Sequence, residues 1–206
     1  MKLGRGRAAG KMSAQRRIAR GAAVTAAALG VAVPVAGCGV ISSNVDSQTP
    51  VAMTVSSGEF AQSTIPASST CKARGQAINP ALSWAGAPPG TKSLALVVDD
   101  SNAPVTPYVY WLVFDIHPQT AQILEGQVPP GARVARNSAG TAAYDPPCPG
   151  AKPHQYRFTV YALNKTLNLP TGTSLASAWS AIAAATIGRG RLNANAPGIP
   201  SDTETP

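Results

Sequence analysis

The chain is poor in groups that carry chemistry. Its 206 residues hold two histidines, His117 and His154, and three cysteines, Cys38, Cys71 and Cys148. A zinc site needs closely spaced Cys or His ligands, and no pair here has that spacing. His154, Asp100 and a serine such as Ser138 supply the residue types of a hydrolytic triad. Yet neither a Gly-x-Ser-x-Gly elbow nor a glycine-rich phosphate loop accompanies them. Asp99 and Asp100 are adjacent carboxylates at the end of an apolar run. Neighbouring residues of a regular strand point to opposite faces, so the two cannot both serve one site. These residues read as those of a non-enzyme with no cofactor and no metal.

Cys38 has a specific setting. Met1–Gly37 carries seven cations and no acid, and Gly21–Ala36 is uncharged. A cationic head, a short apolar run and small residues at its end form the layout of a secretory signal. Sixteen residues with Gly21, Gly30 and Pro34 among them make a poor permanent transmembrane helix. The run ends in Val35-Ala36-Gly37-Cys38, which resembles the lipobox of bacterial lipoproteins. That resemblance implies diacylglycerol on the Cys38 sulfur, cleavage just before it and acylation of the new N-terminus. The alternative is ordinary secretory cleavage near Ala36-Gly37. Arg16-Arg17 fits the twin-arginine export pattern poorly, because Gln15 and Ala19 depart from it. Acyl chains contribute about 0.8 kcal/mol per buried CH₂, and two or more anchor a protein durably. The expected product is a domain on the extracytoplasmic side of the cell membrane. Residues 1–37 would be removed, and 38–50 would form the lipidated cysteine and a flexible tether.

Removing Cys38 from the count leaves Cys71 and Cys148, an even pair in an oxidising compartment. A disulfide between them would close a loop of about 77 residues, worth about 4 kcal/mol in the chain-entropy picture. Two buried free thiols are the alternative. The formal net charge of +8 has the same N-terminal origin. Beyond Gly37 there are ten cations against nine acids, so a nucleic-acid-binding surface on the folded part loses its support. Only 13% of residues are charged and 44% are apolar, which excludes a highly charged disordered chain.

The elements that would position these groups are mainly strands. Met53–Ser56, Ser93–Asp99, Tyr108–Ile116 and Tyr156–Leu163 are rich in β-branched and aromatic residues or alternate in polarity. Proline-rich connections separate them, at Pro88-Pro89-Gly90, Pro129-Pro130-Gly131 and Pro146-Pro147-Cys148-Pro149-Gly150; such loops are stiff. Ser174–Ile187 reads as a helix with Leu175, Trp179, Ile182 and Ala183 on its apolar face and Gly188 as its stop. Residues 51–192 then form one domain, and Asn193–Pro206 reads as a disordered tail. Trp84 and Trp111 belong to the core.

The order of these motifs resembles the phosphatidylethanolamine-binding protein family, in its bacterial, Raf kinase inhibitor-like branch. The resemblance rests on Asn79 to Trp84, Pro89-Gly90-Thr91-Lys92-Ser93, Asp99-Asp100, Ala103-Pro104 and Tyr110 to Val113. It continues through Leu124-Glu125-Gly126, Asn137 to Gly140, Tyr144 to Pro149, His154 to Phe158 and Tyr161-Ala162-Leu163. It implies an antiparallel β-sandwich with a few short peripheral helices and a small anion-binding pocket at one end.

In the family that pocket is built from an Asp-Pro-Asp-x-Pro turn, a His-Trp pair, a Gly-Pro-x-Pro-Pro loop and a His-x-Tyr motif. Asp100 falls on the first Asp, Asn102 stands for the second, and Ser101 replaces the proline between them. Tyr110 replaces the family His beside Trp111, and Asp145 replaces the loop glycine before Pro146. His154 and Tyr156 match the last motif. An anion pocket needs donors to outnumber acceptors, and His154, Tyr110 and Tyr156 can donate. Losing a titratable His to Tyr110 and adding Asp145 should weaken any phosphate preference, while Asp100 can orient His154. The implied ligand is a small anionic or zwitterionic group, such as a phospholipid headgroup, or a phosphorylated partner. A protein-binding inhibitor module is the alternative.

Overall fold

A computed structural model describes residues 49–102, 106–148 and 154–196. The export leader, Cys38 and most of the tether lie outside that range, as do Ala103-Pro104, Pro149 and the chain beyond Ala196.

The strands in chain order are β1 (Val51–Ala52), β2 (Thr54–Ser56), β3 (Leu82–Ala85), β4 (Ser93–Asp100), β5 (Val109–Ile116), β6 (Gln122–Ile123), β7 (Arg133–Val134), β8 (His154–Leu163) and β9 (Thr186–Ala196). One α-helix, α1 (Leu175–Ala185), leads directly into β9, and two short 3₁₀ turns lie between β2 and β3. Six strands form one sheet in the order β1-β9-β8-β4-β5-β7, and β2-β3-β6 form a second. The domain is mostly β, but its main sheet is mixed. β1 runs parallel to β9, whereas the other pairings are antiparallel.

β4 is buried at every residue, because the main sheet is covered on both faces. On one face Leu94, Leu96, Val98, Trp111, Phe158 and Val160 share a core with Leu82, Trp84 and Ile123 of the small sheet. That face alone has the sandwich arrangement. On the other, Ala95, Val97, Leu112 and Phe114 pack under the helix residues Ala178, Ile182 and Ala185. The helix therefore buries small alanines where the sequence pattern favoured Trp179 and Ala183. Trp179 is 42% exposed and stands edge-on to Tyr161 of β8.

Two boundaries differ from the sequence reading for one reason. α1 is capped by Ser174, whose Oγ accepts the Ser177 N–H, and ends at Thr186 rather than at Gly188. Gly188 and Gly190 sit inside β9, where a second layer comes close. A Cβ on Gly188 would lie 2.8 Å from Pro88, and one on Gly190 would lie 2.6 Å from the Met53 carbonyl oxygen. β9 also continues through Asn193–Ala196, so the expected tail begins four residues too early. Ala194 and Ala196 are buried against β8, where they pair with Tyr156 and His154. The run GRGRLNANA has weak strand propensity and becomes a strand because a long partner lies beside it.

Cys71 and Cys148 form a disulfide across a sequence separation of 77, with Cα atoms 5.1 Å apart. The Cys71 N–H also donates to the Pro147 carbonyl. The proline-rich loop is thus tied to the segment after the second 3₁₀ turn by a covalent bond and a hydrogen bond.

Candidate ligand pocket

The end of β4 and the start of β8 lie side by side, with Asp100 opposite Tyr156 and Asp99 opposite Arg157. Strand alternation then puts Asp100, His154 and Tyr156 on the sandwich face, and Asp99 with Arg157 on the helix face. The two carboxylates are divided as the sequence required. Asp99 receives both the Nε–H and a terminal N–H of Arg157.

Asp100 is nearly buried, and His154 is one-third exposed. The His154 Nδ1 lies 2.7 Å from Asp100 Oδ2, and Asp100 Oδ1 accepts the Asn102 N–H at 2.7 Å. Asn102 Oδ1 accepts the Gln155 N–H, and the Ser101 N–H and hydroxyl both donate to the Gln155 carbonyl. The turn after β4 is therefore stapled to the first residues of β8. This fixes the His154 ring relative to the carboxylate.

Tyr110 reaches the same face through a bulge. β4 pairs Val98 with Trp111 but Asp99 with Val109, so Tyr110 is the extra residue on β5. A bulge re-aims a side chain, and here Trp111 and Tyr110 both pack on the sandwich-side core. The Tyr110 ring meets Tyr156 edge-on with centroids 5.4 Å apart, and the His154 and Tyr156 rings stack at 6.3 Å.

Asp145 belongs to the same wall. Its N–H donates to the Tyr110 carbonyl, and its Oδ2 accepts the Tyr108 hydroxyl at 2.7 Å. Tyr108, whose ring lies 4.7 Å from that of Tyr110, was not singled out from the sequence. Its proximity to an acidic loop depends on the fold. Pro146 is half-buried and Pro147 buried, followed by the disulfide at Cys148. Asn137 holds this loop in place by donating to the Ala143 carbonyl and accepting the Thr141 N–H.

The distribution of hydrogen bonds separates occupied groups from free ones. Ser138 does not hydrogen-bond His154; its hydroxyl accepts the Val109 N–H instead. Tyr156 is fully buried, and its hydroxyl has no hydrogen-bond partner among the described residues. Burial, and then the Asp100 charge, push its pKa up to about 12, and the adjoining Tyr110 hydroxyl opposes the rise. Burial, and then its hydrogen bond to Asp145, push Tyr108 up to about 12, and burial also raises Tyr110. All three phenols therefore keep their protons at neutral pH and remain donors. No His, Cys, Asp and Glu cluster suited to a metal ion occurs among the described residues.

The pattern of the phosphatidylethanolamine-binding proteins matches residues 56–196, which is most of the chain and all of this site. The chain belongs to that family. The chain is similar to LppC of Mycobacterium tuberculosis, a lipoprotein by name. It is 41% identical over 155 residues, spanning 72% of this chain and 76% of that one. An uncharacterised-family protein of Methanothermobacter thermautotrophicus is 37% identical over 133 residues, covering 62% of this chain and 87% of its own length. Two solved family structures share the fold. A phosphatidylethanolamine-binding protein homologue from Chlamydia trachomatis superposes with a TM-score of 0.65 at 29% identity, covering 72% of this chain and 99% of that chain. YbcL of Escherichia coli gives 0.63 at 27% identity, covering 70% and 98%. The family match ends at Ala196, where β9 ends.

Proposed function

We propose that this is a membrane-anchored envelope lipoprotein whose domain binds a small anionic or zwitterionic group without catalysis. The pocket is formed by Asp100, Asn102, Tyr110, Asp145, Pro146, His154 and Tyr156. The observation that carries this reading is the His154 imidazole, one-third exposed and oriented by Asp100 beside the buried Tyr156 hydroxyl. With Nδ1 committed to Asp100, the His154 Nε2 is the ring atom left for that ligand. Anchoring through Cys38 is supported by the lipobox-like sequence and by the name of the relative LppC.

The altered residues set the expected strength. Asp145 keeps a carboxylate beside the pocket, and its bond to Tyr108 satisfies one oxygen without removing the charge. Phosphate should therefore bind more weakly than in a family member with His and Gly at the positions of Tyr110 and Asp145. Calorimetric titration of phosphoethanolamine and inorganic phosphate tests this. The combined change Tyr110→His and Asp145→Gly should tighten binding by about tenfold. Absence of binding to the wild type and to this double variant alike would remove the pocket from the function. Intact-mass analysis of membrane-extracted protein should find a chain beginning at acylated Cys38. Unmodified protein recovered wholly from the medium would overturn the anchoring.

A further inference from the structure

The helix-side face of the main sheet carries a second, unassigned surface. Arg157 on β8 and Arg189 and Arg191 on β9 lie on this one face, since Tyr161 pairs with Arg189 and Thr159 with Arg191. Arg189 and Arg191 are exposed. Arg189 stands opposite Tyr161, and the Arg191 Nε–H donates to the Thr159 hydroxyl. Asp99 is the acid in the group, and it is already paired with Arg157. Beyond Gly37 the whole chain has a net charge near zero, so this concentration of arginine is local.

An apolar edge adjoins the cations. Trp179 meets Tyr161 edge-on at 6.0 Å and lines a groove of about 430 Å³ with Pro107, Val109 and Leu175. Asp99 also lines that groove, which links it to the Arg157 pair. Exposed tryptophan beside arginine suits the boundary between headgroups and acyl chains.

We infer that this face docks on an anionic lipid bilayer, with Arg189 and Arg191 on the headgroups and Trp179 at the interface. Charge complementarity selects the lipid, because a cationic surface near an anionic leaflet gains with each Lys or Arg. A short tether would also hold this edge of the sheet close to the membrane. The twelve residues from Gly39 to Pro50 precede β1, whose Val51 and Ala52 pair with Gly188 and Arg189. Fully extended, they reach at most roughly 40 Å. This second argument rests on the proposed anchoring at Cys38; the charge argument does not.

The test uses the full chain with Cys38→Ser, which cannot be acylated, so a failure of anchoring and a failure of docking are read separately. The probes are vesicles of phosphatidylcholine alone and of equimolar phosphatidylcholine and phosphatidylglycerol, with brominated acyl chains. Trp84 and Trp111 are buried, so quenching reports Trp179. Quenching is expected only on the anionic vesicles and should vanish in Trp179→Phe. Arg189→Gln with Arg191→Gln should weaken partitioning by roughly 20-fold and abolish quenching, whereas Arg→Lys at both sites should preserve both. Vesicle binding through the cationic leader alone would leave Trp179 unquenched and overturn the inference. A solution dimer dissolved by the same Gln changes would assign the face to a second copy, and would also overturn it.

Discussion

Two acid–base pairs stand on adjacent rungs of the same two strands, and they behave differently. Asp99 and Arg157, on the helix face, are complete: the carboxylate receives two guanidinium donors. Asp100 and His154, on the sandwich face, leave capacity unspent. Asp100 is fully used, by His154 and by the Asn102 N–H, but the Tyr156 hydroxyl beside it is buried and unpaired. A closed pair fixes structure, whereas an oriented imidazole with a second ring nitrogen left over is suited to the proposed ligand. Neither residue type nor burial distinguishes the two, since both carboxylates are nearly buried. What distinguishes them is whether every donor is already answered.

The largest effect should come from the covalent support of the open end. Cys71→Ser with Cys148→Ser should lower stability by about 4 kcal/mol, measured as the midpoint shift in urea unfolding. Because the bridge holds the Pro146-Pro147 wall, the loss should be accompanied by loss of ligand binding, while Arg157 keeps Asp99. Retention of full affinity for phosphoethanolamine in the folded double variant would break the link between the disulfide and the site.

Asp100→Ala should come next, at about 2–3 kcal/mol, because it strands the Asn102 N–H and the His154 ring at once. Thermal unfolding would report the loss. An effect no larger than that of Asp99→Asn would erase the asymmetry between the two pairs.

Tyr156→Phe sharpens the contrast in a different way. Removing an unpartnered buried hydroxyl should leave stability unchanged or raise it by about 1 kcal/mol, while ligand affinity falls about tenfold. The same substitution bears on alkaline behaviour. The folded pKa of Tyr156 is about 12 against an unfolded value of 10, so the protonated phenol is favoured by folding. That contribution is fully present below pH 10 and is lost as pH rises towards 12. Urea midpoints measured across that range should fall less steeply in Tyr156→Phe than in the wild type. A parallel decline would mean that Tyr156 is not the group that titrates.

Asp99→Asn should have the smallest effect, about 1 kcal/mol in unfolding and none on titration with phosphoethanolamine. The Arg157 side chain is partly exposed, so solvent limits what the pair contributes. A tenfold loss of affinity here would show that the two faces are coupled.

Much of this was legible in the sequence for particular reasons. The run SLALVVDD is apolar because β4 is covered on both faces, and its closing acids stay buried against Arg157 and His154. Cysteine parity gave the bridge, and strand alternation divided Asp99 from Asp100. The order of short motifs grouped His154 with Tyr156, and the structure stacks their rings on one face. Tyr108 was missed because nothing local connects it to Asp145, 37 residues away. β9 was missed as a strand because Gly, Asn and Ala have low strand propensity and Gly188 resembles a helix stop.

The sequence by itself displayed the signal-like pattern of its first 37 residues, the buried strands, the pairing of cysteines and the residue types of the proposed pocket. Each is written in local composition, spacing or parity, which a single chain displays without folding. Only the tertiary structure decided that Gly188 and Gly190 are places of close approach and that a bulge turns Tyr110 onto the face of Trp111. It alone decided that three arginines far from the leader share one face, and that the Tyr156 hydroxyl is left without a partner. These outcomes depend on which strands become neighbours and on what remains unpaired once they do. Contacts between residues distant in the chain set both.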